Sequence, residues 1–256
     1  MQEPSARPLE RVSPLPAVVL AAGYGSRLEE ATNGFPKVLV PVAGRSLIEH
    51  TLTALWQVGC TDICVVTGYR AAEVERALRA LRTDGRRVQT ILNPRYDLPN
   101  ASSLAAARTW IGARPFLLLM ADHLLSTEAI ARMLRSAHPY AVGIDRSSLT
   151  ADRIAEATKV EIDGDGRVVA LGKHLTRWHG IDAGIFRLLP NLFTDLDRLG
   201  SATELSALLT AVARRVPFYT VDLTGAFWLD VDTPADLADA EELLSRRDAS
   251  AAAPQP

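Results

Sequence analysis

Five short apolar runs, at residues 16–22, 62–67, 88–92, 115–120 and 140–144, alternate with segments of helical period at 47–58, 71–81, 103–111 and 127–136. A strand wetted on one face shows a period of two, whereas a largely continuous apolar run bounded by turn residues suits a strand covered on both faces. Parallel neighbours need a crossover segment, and right-handed crossovers place helices on both sides of the sheet. The expectation is an α/β fold with a doubly wound, mainly parallel (mixed) sheet, and a ligand crevice at the carboxyl ends of its strands.

The second half is less regular. Residues 158–162 and 167–171 flank Asp163-Gly164-Asp165-Gly166, a hairpin signal between β-rich arms. Ser201 and Glu204 have the spacing of a capping box, so a helix is expected from there to about Arg215. A last helix is expected after Thr233, with Pro234 and Asp236 in its first turn. The organisation expected is a disordered leader over 1–15, one domain over 16–247 and a disordered tail over 248–256. Within the domain, about 16–145 would bind the nucleotide and about 146–247 the acceptor, the latter as a small β-rich elaboration.

Composition narrows the function classes. With 28 Lys and Arg against 30 Asp and Glu, a net charge of −2 and 48% hydrophobic residues, the chain lacks the basic excess of a dedicated nucleic-acid binder. A core of this size needs no disulfide or structural metal. The only cysteines, Cys60 and Cys64, lack a second Cys/His cluster for zinc and read as structural thiols in a reducing compartment. No uncharged apolar stretch approaches the roughly 18 residues of a membrane span, so a cytoplasmic location is expected.

The chemistry concentrates after the first run. Leu20-Ala21-Ala22-Gly23-Tyr24-Gly25-Ser26-Arg27 is followed by Pro36-Lys37 and Gly44. Glycines at a strand end let backbone N–H groups approach phosphates. A dinucleotide fingerprint fails, because Leu28 replaces the third small residue and Thr67-Gly68 stands where an acid is needed; a P-loop fails because Lys37 follows Pro36. What remains is a glycine loop with two cations, Arg27 and Lys37. They suit phosphoryl chemistry, which needs positioning and charge neutralisation more than a nucleophile.

LAAGxGSR followed by PKxLxPVxGxSLI resembles the sugar-phosphate nucleotidyltransferases with a Rossmann-like fold. The resemblance continues through Asn93, Asn100-Ala101-Ser102-Ser103, Met120-Ala121-Asp122-His123, Glu156 to Val160, Gly172-Lys173, Asp182-Ala183-Gly184 and Phe227 to Pro234. In that order over 16–245 it comes closest to the CTP:inositol-1-phosphate cytidylyltransferases. One departure is Ala183, where the family carries Thr. The resemblance implies nucleotide contacts from Leu20, Ala21, Ala22, Gly23, Gly25, Ser26, Asn93, Asn100, Ser102, Ser103 and Ala121. It also implies acceptor contacts from Lys159, Lys173, Asp182 and Gly184. CTP, a phosphorylated acceptor and a membrane phosphatidyltransferase taking over the product are its implied partners; the sequence is silent on oligomeric state and allows a homodimer.

Asp122 ends an apolar run, where a carboxylate is costly unless paired or metal-bound. Asp230 and Asp232 alternate around Val231, so in extended backbone both point the same way. Mg²⁺ suits one or two carboxylates plus phosphates and water. Asp122 and Asp232 are the expected ligands, with Asp230 as neighbour or substitute; His123 is read as a polar group positioned beside Asp122. Trp178, His179 and Trp228 could line an acceptor pocket or belong to the core. Three readings stay open: transfer of a nucleotidyl group to inositol 1-phosphate, phosphocholine, 2-aminoethylphosphonate or a sugar 1-phosphate; a glycosyltransferase with an Asp–metal site; and a catalytically silent nucleotide-binding protein.

Overall fold

The structure is a computed structural model that describes residues 14–25, 28, 34–81, 86, 88–147 and 151–252, the last six of these and 151–152 by backbone alone. The leader to residue 13, Ser26 and Arg27 lie outside the described residues. The strands are β1 (Ala17–Ala21), β2 (Pro41–Val42), β3 (Arg45–Ser46), β4 (Ile63–Thr67), β5 (Val88–Leu92), β6 (Phe116–Met120), β7 (His123–Leu125), β8 (Ala141–Asp145), β9 (Lys159–Ile162), β10 (Val168–Gly172), β11 (Gly180–Leu188), β12 (Tyr219–Asp222) and β13 (Trp228–Asp230).

The large sheet runs β10-β9-β11-β6-β1-β4-β5, with β8 paired to β11 and β12 to β8. β6, β1, β4 and β5 are mutually parallel, as the continuous apolar runs predict. All five residues of β1 are buried. Val19 and Ala21 face a layer with Ile48, Leu52, Leu55, Ile130 and Met133, whereas Val18 and Leu20 face Leu104, Phe186, Leu208 and Val212 on the other side. Each fully buried Val or Leu contributes about 1.5–3 kcal/mol, so this central strand is among the best-anchored parts of the chain.

The fifth run differs from its simplest placement. β8 does not pair with β6; β11 lies between them, antiparallel to both. The reason is burial on both faces: Ile181, Ala183, Ile185, Phe186 and Leu188 of β11 are all buried, which an edge strand could not achieve. The expected hairpin forms from β9 and β10 with a bulge between Val168 and Ala170.

The helices follow the periodic segments at Leu47–Gln57, Ala71–Ala80 and Thr127–Arg135. The third segment starts two residues earlier than expected and is broken, into Ala101–Ala106 and Arg108–Ile111. The helix expected from Ser201 begins at Leu205 and ends at Arg215. Ser201 does not open it: Glu204 stands at the N-cap without a side-chain cap, and the Thr203 hydroxyl donates to the carbonyls of Leu199 and Gly200 at the end of the preceding helix, Phe193–Leu199. The last helix is Pro234–Ala252 and runs into the stretch expected to be disordered, where Ala249, Ala251 and Ala252 favour helix. Thr233 caps it as expected, its hydroxyl accepting from Asp236 N–H while Asp236 Oδ2 accepts from Thr233 N–H at 2.8 Å.

Two small sheets complete the crevice. β2 and β3 join through Ala43 and Gly44, both at positive φ (46° and 77°), the conformation a tight hairpin turn demands. β7 and β13 pair so that Asp230 stands opposite His123. Beneath them Leu28, Val42, Leu47, Leu124, Leu229, Val231 and Ala240 form a separate apolar cluster. That cluster fixes the two segments carrying Asp122 and Asp230–Asp232.

Candidate active site

A cavity of about 330 Å³ opens at the carboxyl ends of β1 and β6, where the sheet topology places it. Leu20, Ala21, Ala22, Gly23 and Gly25 line one wall, and Tyr96, Leu98, Asn100 and Ser103 another. Lys37, Asp122 and Asp232 lie at one end, and Met120 and Glu204 complete the lining. Gly25 is needed twice over: its φ is +65°, and a Cβ there would come within 2.6 Å of the Lys37 Cβ. Gly23 meets nothing within 4 Å, so its missing side chain leaves the cavity mouth open.

Lys37 heads a short 3₁₀ turn, Lys37–Leu39, and is 6% exposed. Its Nζ donates to Asp122 Oδ2 at 2.8 Å and also to Asp232 Oδ1. Burial alone would lower the Lys37 pKa; the two carboxylates overcome it and hold the ammonium firmly charged. Burial would raise the Asp122 pKa, but Lys37 and then His123 drive it well below the ordinary carboxylate range.

A second layer surrounds this pair. His123 Nδ1 lies 3.1 Å from Asp122 Oδ1 and 3.8 Å from Asp230 Oδ1. Despite burial, Asp230, Asp122 and Asp182 raise its pKa to about 9, so it is an imidazolium at neutral pH. Asp182 goes the other way: burial, together with the nearby Asp230, raises it to about 7, although its Oδ1 accepts from Gly184 N–H. Gly184, at φ +74°, packs directly beneath the His123 ring, where any Cβ would collide. Burial also raises Asp230, and its Oδ1 is buried without a hydrogen-bond partner.

The nucleotide-binding candidates separate into two kinds. Leu20 to Gly25 and Ser103 line the cavity, whereas Asn93 is a 3%-exposed scaffold residue. Its Nδ2 donates to the hydroxyls of Ser102 and Ser103, both at 3.0 Å, and its Oδ1 accepts from Arg95 N–H. Ser102 in turn donates to the Arg95 carbonyl. Asn100 lines the cavity, yet its Oδ1 accepts from Leu205 N–H at 2.9 Å and so ties the nucleotide wall to the second half. Ala121 is buried and its N–H is held by the Leu20 carbonyl, which sets the height of Asp122.

The acceptor candidates divide likewise. Asp182 and Gly184 join the His123 group. Lys159, 7% exposed, donates to the Lys173 carbonyl at 2.6 Å, while the exposed Lys173 pairs with Glu156 at 3.5 Å. Neither lysine lines the cavity. Trp228 donates from Nε1 to Asp145 at 2.7 Å and stands near-parallel to His123. His179 accepts from Ile162 N–H. Arg27 and Ser26 lie outside the described residues. Of the lining residues, sequence reasoning gave no site role to Val38, Tyr96, Leu98, Met120 and Glu204. Glu204 was absorbed into a capping pattern, Met120 was read only as part of a motif, and the other three are apolar or aromatic residues without a chemical signature. Cys60 and Cys64 are buried free thiols, pushed up by burial to about 11 and 12, consistent with a structural role.

Residues 17–151 match the family described as MobA-like NTP transferase domain. Among curated relatives, a bifunctional IPC transferase and DIPP synthase of Rubrobacter xylanophilus is 38% identical over 235 residues, covering 89% of this chain and 51% of the relative. The protein of that name from Thermococcus kodakarensis is 34% identical, covering 90% of this chain and 50% of the relative. The chain thus spans about half the length of these relatives. Among solved structures, the inositol-1-phosphate CTP transferase from T. maritima superposes with a TM-score of 0.77 at 26% identity, covering 91% of this chain and 96% of that one. With a glycine loop, a buried lysine and paired aspartates arranged around one cavity, and a family match across more than half its length, the chain belongs to the MobA-like NTP transferases.

Proposed function

We propose that this protein transfers a cytidylyl group from CTP to inositol 1-phosphate, giving CDP-inositol and pyrophosphate. The observation that carries the reading is Lys37 set between Asp122 and Asp232 at the end of a cavity walled by the glycine loop. The likeness to the inositol-1-phosphate CTP transferase from T. maritima supplies the choice of CTP and inositol 1-phosphate.

The donor set fits a divalent cation. Lys37 and His123, both held charged, lie among the side chains of Asp122, Asp182, Asp230 and Asp232. Asp122 and Asp230 offer carboxylate oxygens within 4.8 Å of each other, and the Asp230 Oδ1 is buried without a hydrogen-bond partner; His123, as an imidazolium, positions these groups and is no ligand. Hard carboxylate oxygens suit Mg²⁺. Asp122 and Asp232 would hold it, with Asp230 beside them, and when bound it supplies charge neutralisation and alignment of phosphate oxygens.

The chain's own groups do the rest. Backbone N–H groups of the glycine loop, together with Lys37 and Arg27, hold the triphosphate and offset charge on the leaving pyrophosphate. An acceptor phosphate oxygen attacks the α-phosphorus in line: a new P–O bond forms as the bond to the β-phosphate oxygen breaks. No residue is acylated or phosphorylated, and no proton must move. Asp182 and Gly184 hold His123 in place, and Lys159 and Lys173 lie on the acceptor side. Hand-over of CDP-inositol to a membrane phosphatidyltransferase, a homodimeric assembly and a cytoplasmic setting belong to the same reading. Among the described residues no helix is long and apolar enough to cross a membrane.

The test is product identification. Purified protein with Mg²⁺ is given each of four NTPs with inositol 1-phosphate, phosphocholine, 2-aminoethylphosphonate or glucose 1-phosphate, and the products are read by ³¹P NMR. CDP-inositol and pyrophosphate from the first acceptor with CTP are expected. Turnover of another pair would keep nucleotidyl transfer and discard the substrate assignment.

A further inference from the structure

The carboxylate of Glu204 has no role in the chemistry above. It belongs to the second half of the chain, at the N-cap of helix Leu205–Arg215, and reaches the same cavity as Leu20 and Ser103. Asp, Asn, Ser and Thr at this position accept from an N–H of the first turn; Glu204 makes no such cap, so its carboxylate is not engaged by the helix. Among the described residues its side chain accepts no hydrogen bond and meets no cation. Its backbone is nevertheless fixed, because the next residue, Leu205, donates its N–H to Asn100 Oδ1 at 2.9 Å. A residue with a fixed backbone and an exposed, acceptor-only side chain therefore lines a cavity built for an anionic substrate.

The chemistry of the pocket narrows what Glu204 meets. A carboxylate repels phosphate, so it is not part of the triphosphate site. It needs donors, and it has two oxygens to satisfy. The edge of cytosine puts one amino donor beside the acceptor N3, which would repel the second oxygen. Two hydroxyls on adjacent ring carbons instead present two donors side by side. We infer that Glu204 is a specificity residue that accepts hydrogen bonds from a vicinal diol of the substrates: the ribose of the nucleotide or the polyol ring of the acceptor. This rests on the nucleotidyl-transfer reading for its substrates, but its test does not depend on turnover.

The experiment compares wild type, Glu204→Gln and Glu204→Ala for binding of CTP, 2′-deoxy-CTP and 3′-deoxy-CTP by calorimetry. Each protein is also measured with inositol 1-phosphate and its ring-deoxy analogues. A hydrogen bond to a charged group makes the expected wild-type preference for the intact diol about 10- to 100-fold. That preference collapses to a few-fold in Glu204→Ala and is partly kept in Glu204→Gln, which retains one acceptor oxygen. Collapse in the CTP series assigns the ribose; collapse in the inositol series assigns the acceptor. Equal preferences in all three proteins for both series overturn the inference, as does a change confined to the choice among CTP, UTP and GTP, which would make Glu204 a reader of the base. If wild type binds but yields no CDP-inositol, the proposed function fails while this measurement still decides the role of Glu204. Unchanged thermal unfolding of the variants excludes loss of the fold.

Discussion

The two ends of the cavity are built on opposite plans. At the phosphate end, Lys37, His123 and the carboxyl groups of Asp122, Asp182, Asp230 and Asp232 crowd together, with one buried oxygen lacking a hydrogen-bond partner. At the nucleoside end, Ser103 of the cavity wall is backed by a network of uncharged groups in which the Asn93 amide, the Ser102 and Ser103 hydroxyls and the Arg95 backbone hydrogen-bond one another. The first end is organised by what it has yet to bind, the second by what it already holds. Substitutions should therefore act on catalysis at one end and on stability at the other.

Among the groups that contribute positive charge, the largest effect is expected at Lys37. Removing a preorganised charge that acts on developing phosphate charge costs about 10²–10³-fold in kcat, so Lys37→Ala should lose that much pyrophosphate release. The same change leaves Asp122 and Asp232 repelling each other, so Mg²⁺ should raise the melting temperature of the variant more than that of wild type. An equal rise in both would show that the lysine and the cation do not share the two carboxylates.

Next is the pH response of the metal-free protein. His123 rises from an ordinary value near 6.5 to about 9, so its stabilisation is complete below pH 6.5 and lost as pH climbs through 9. Asp182, raised to about 7, works in the same direction: its contribution is lost as pH rises from its unfolded value through 7. Urea unfolding of wild type should thus weaken by about 3 kcal/mol between pH 6.5 and 9, and His123→Gln should flatten the slope. A variant as steep as wild type would place the titration elsewhere.

The smallest effect concerns the nucleoside end. Asn93→Ala leaves the Arg95 N–H without its acceptor and breaks two side-chain links, at a cost of about 2 kcal/mol. The melting temperature should drop while kcat at saturating CTP stays within a few-fold of wild type. A large fall in kcat with unchanged stability would contradict the division between the two ends.

Much of this was legible because strong periodicity and strong chemistry coincide. β1, β4, β5 and β6 appear in the sequence as apolar runs, Asp122 stands just past the end of β6, and Lys37 and Asp232 belong to the Pro36-Lys37 and Phe227 to Pro234 motifs. Pairing order was less legible: β11 carries a family motif, and nothing in its local pattern announces that it lies between β6 and β8. The role of Asn93 was hidden for another reason. An amide that recognises a base and one that holds two serines look identical in sequence, and only its 3% exposure separates them. Lys159 shows the same ambiguity, for its ammonium is engaged by the Lys173 carbonyl. Glu204 was obscured because its spacing from Ser201 imitates a capping box that the chain does not form.

The most direct test of the central claim is the rate of pyrophosphate release from CTP and inositol 1-phosphate across a Mg²⁺ titration, in wild type and Asp122→Asn. The account predicts saturable Mg²⁺ dependence in wild type. In Asp122→Asn, with its fold intact, the rate should fall by about 10³-fold or more. A variant that kept the wild-type rate and the same Mg²⁺ dependence would contradict the assignment of this cluster as the site of the chemistry.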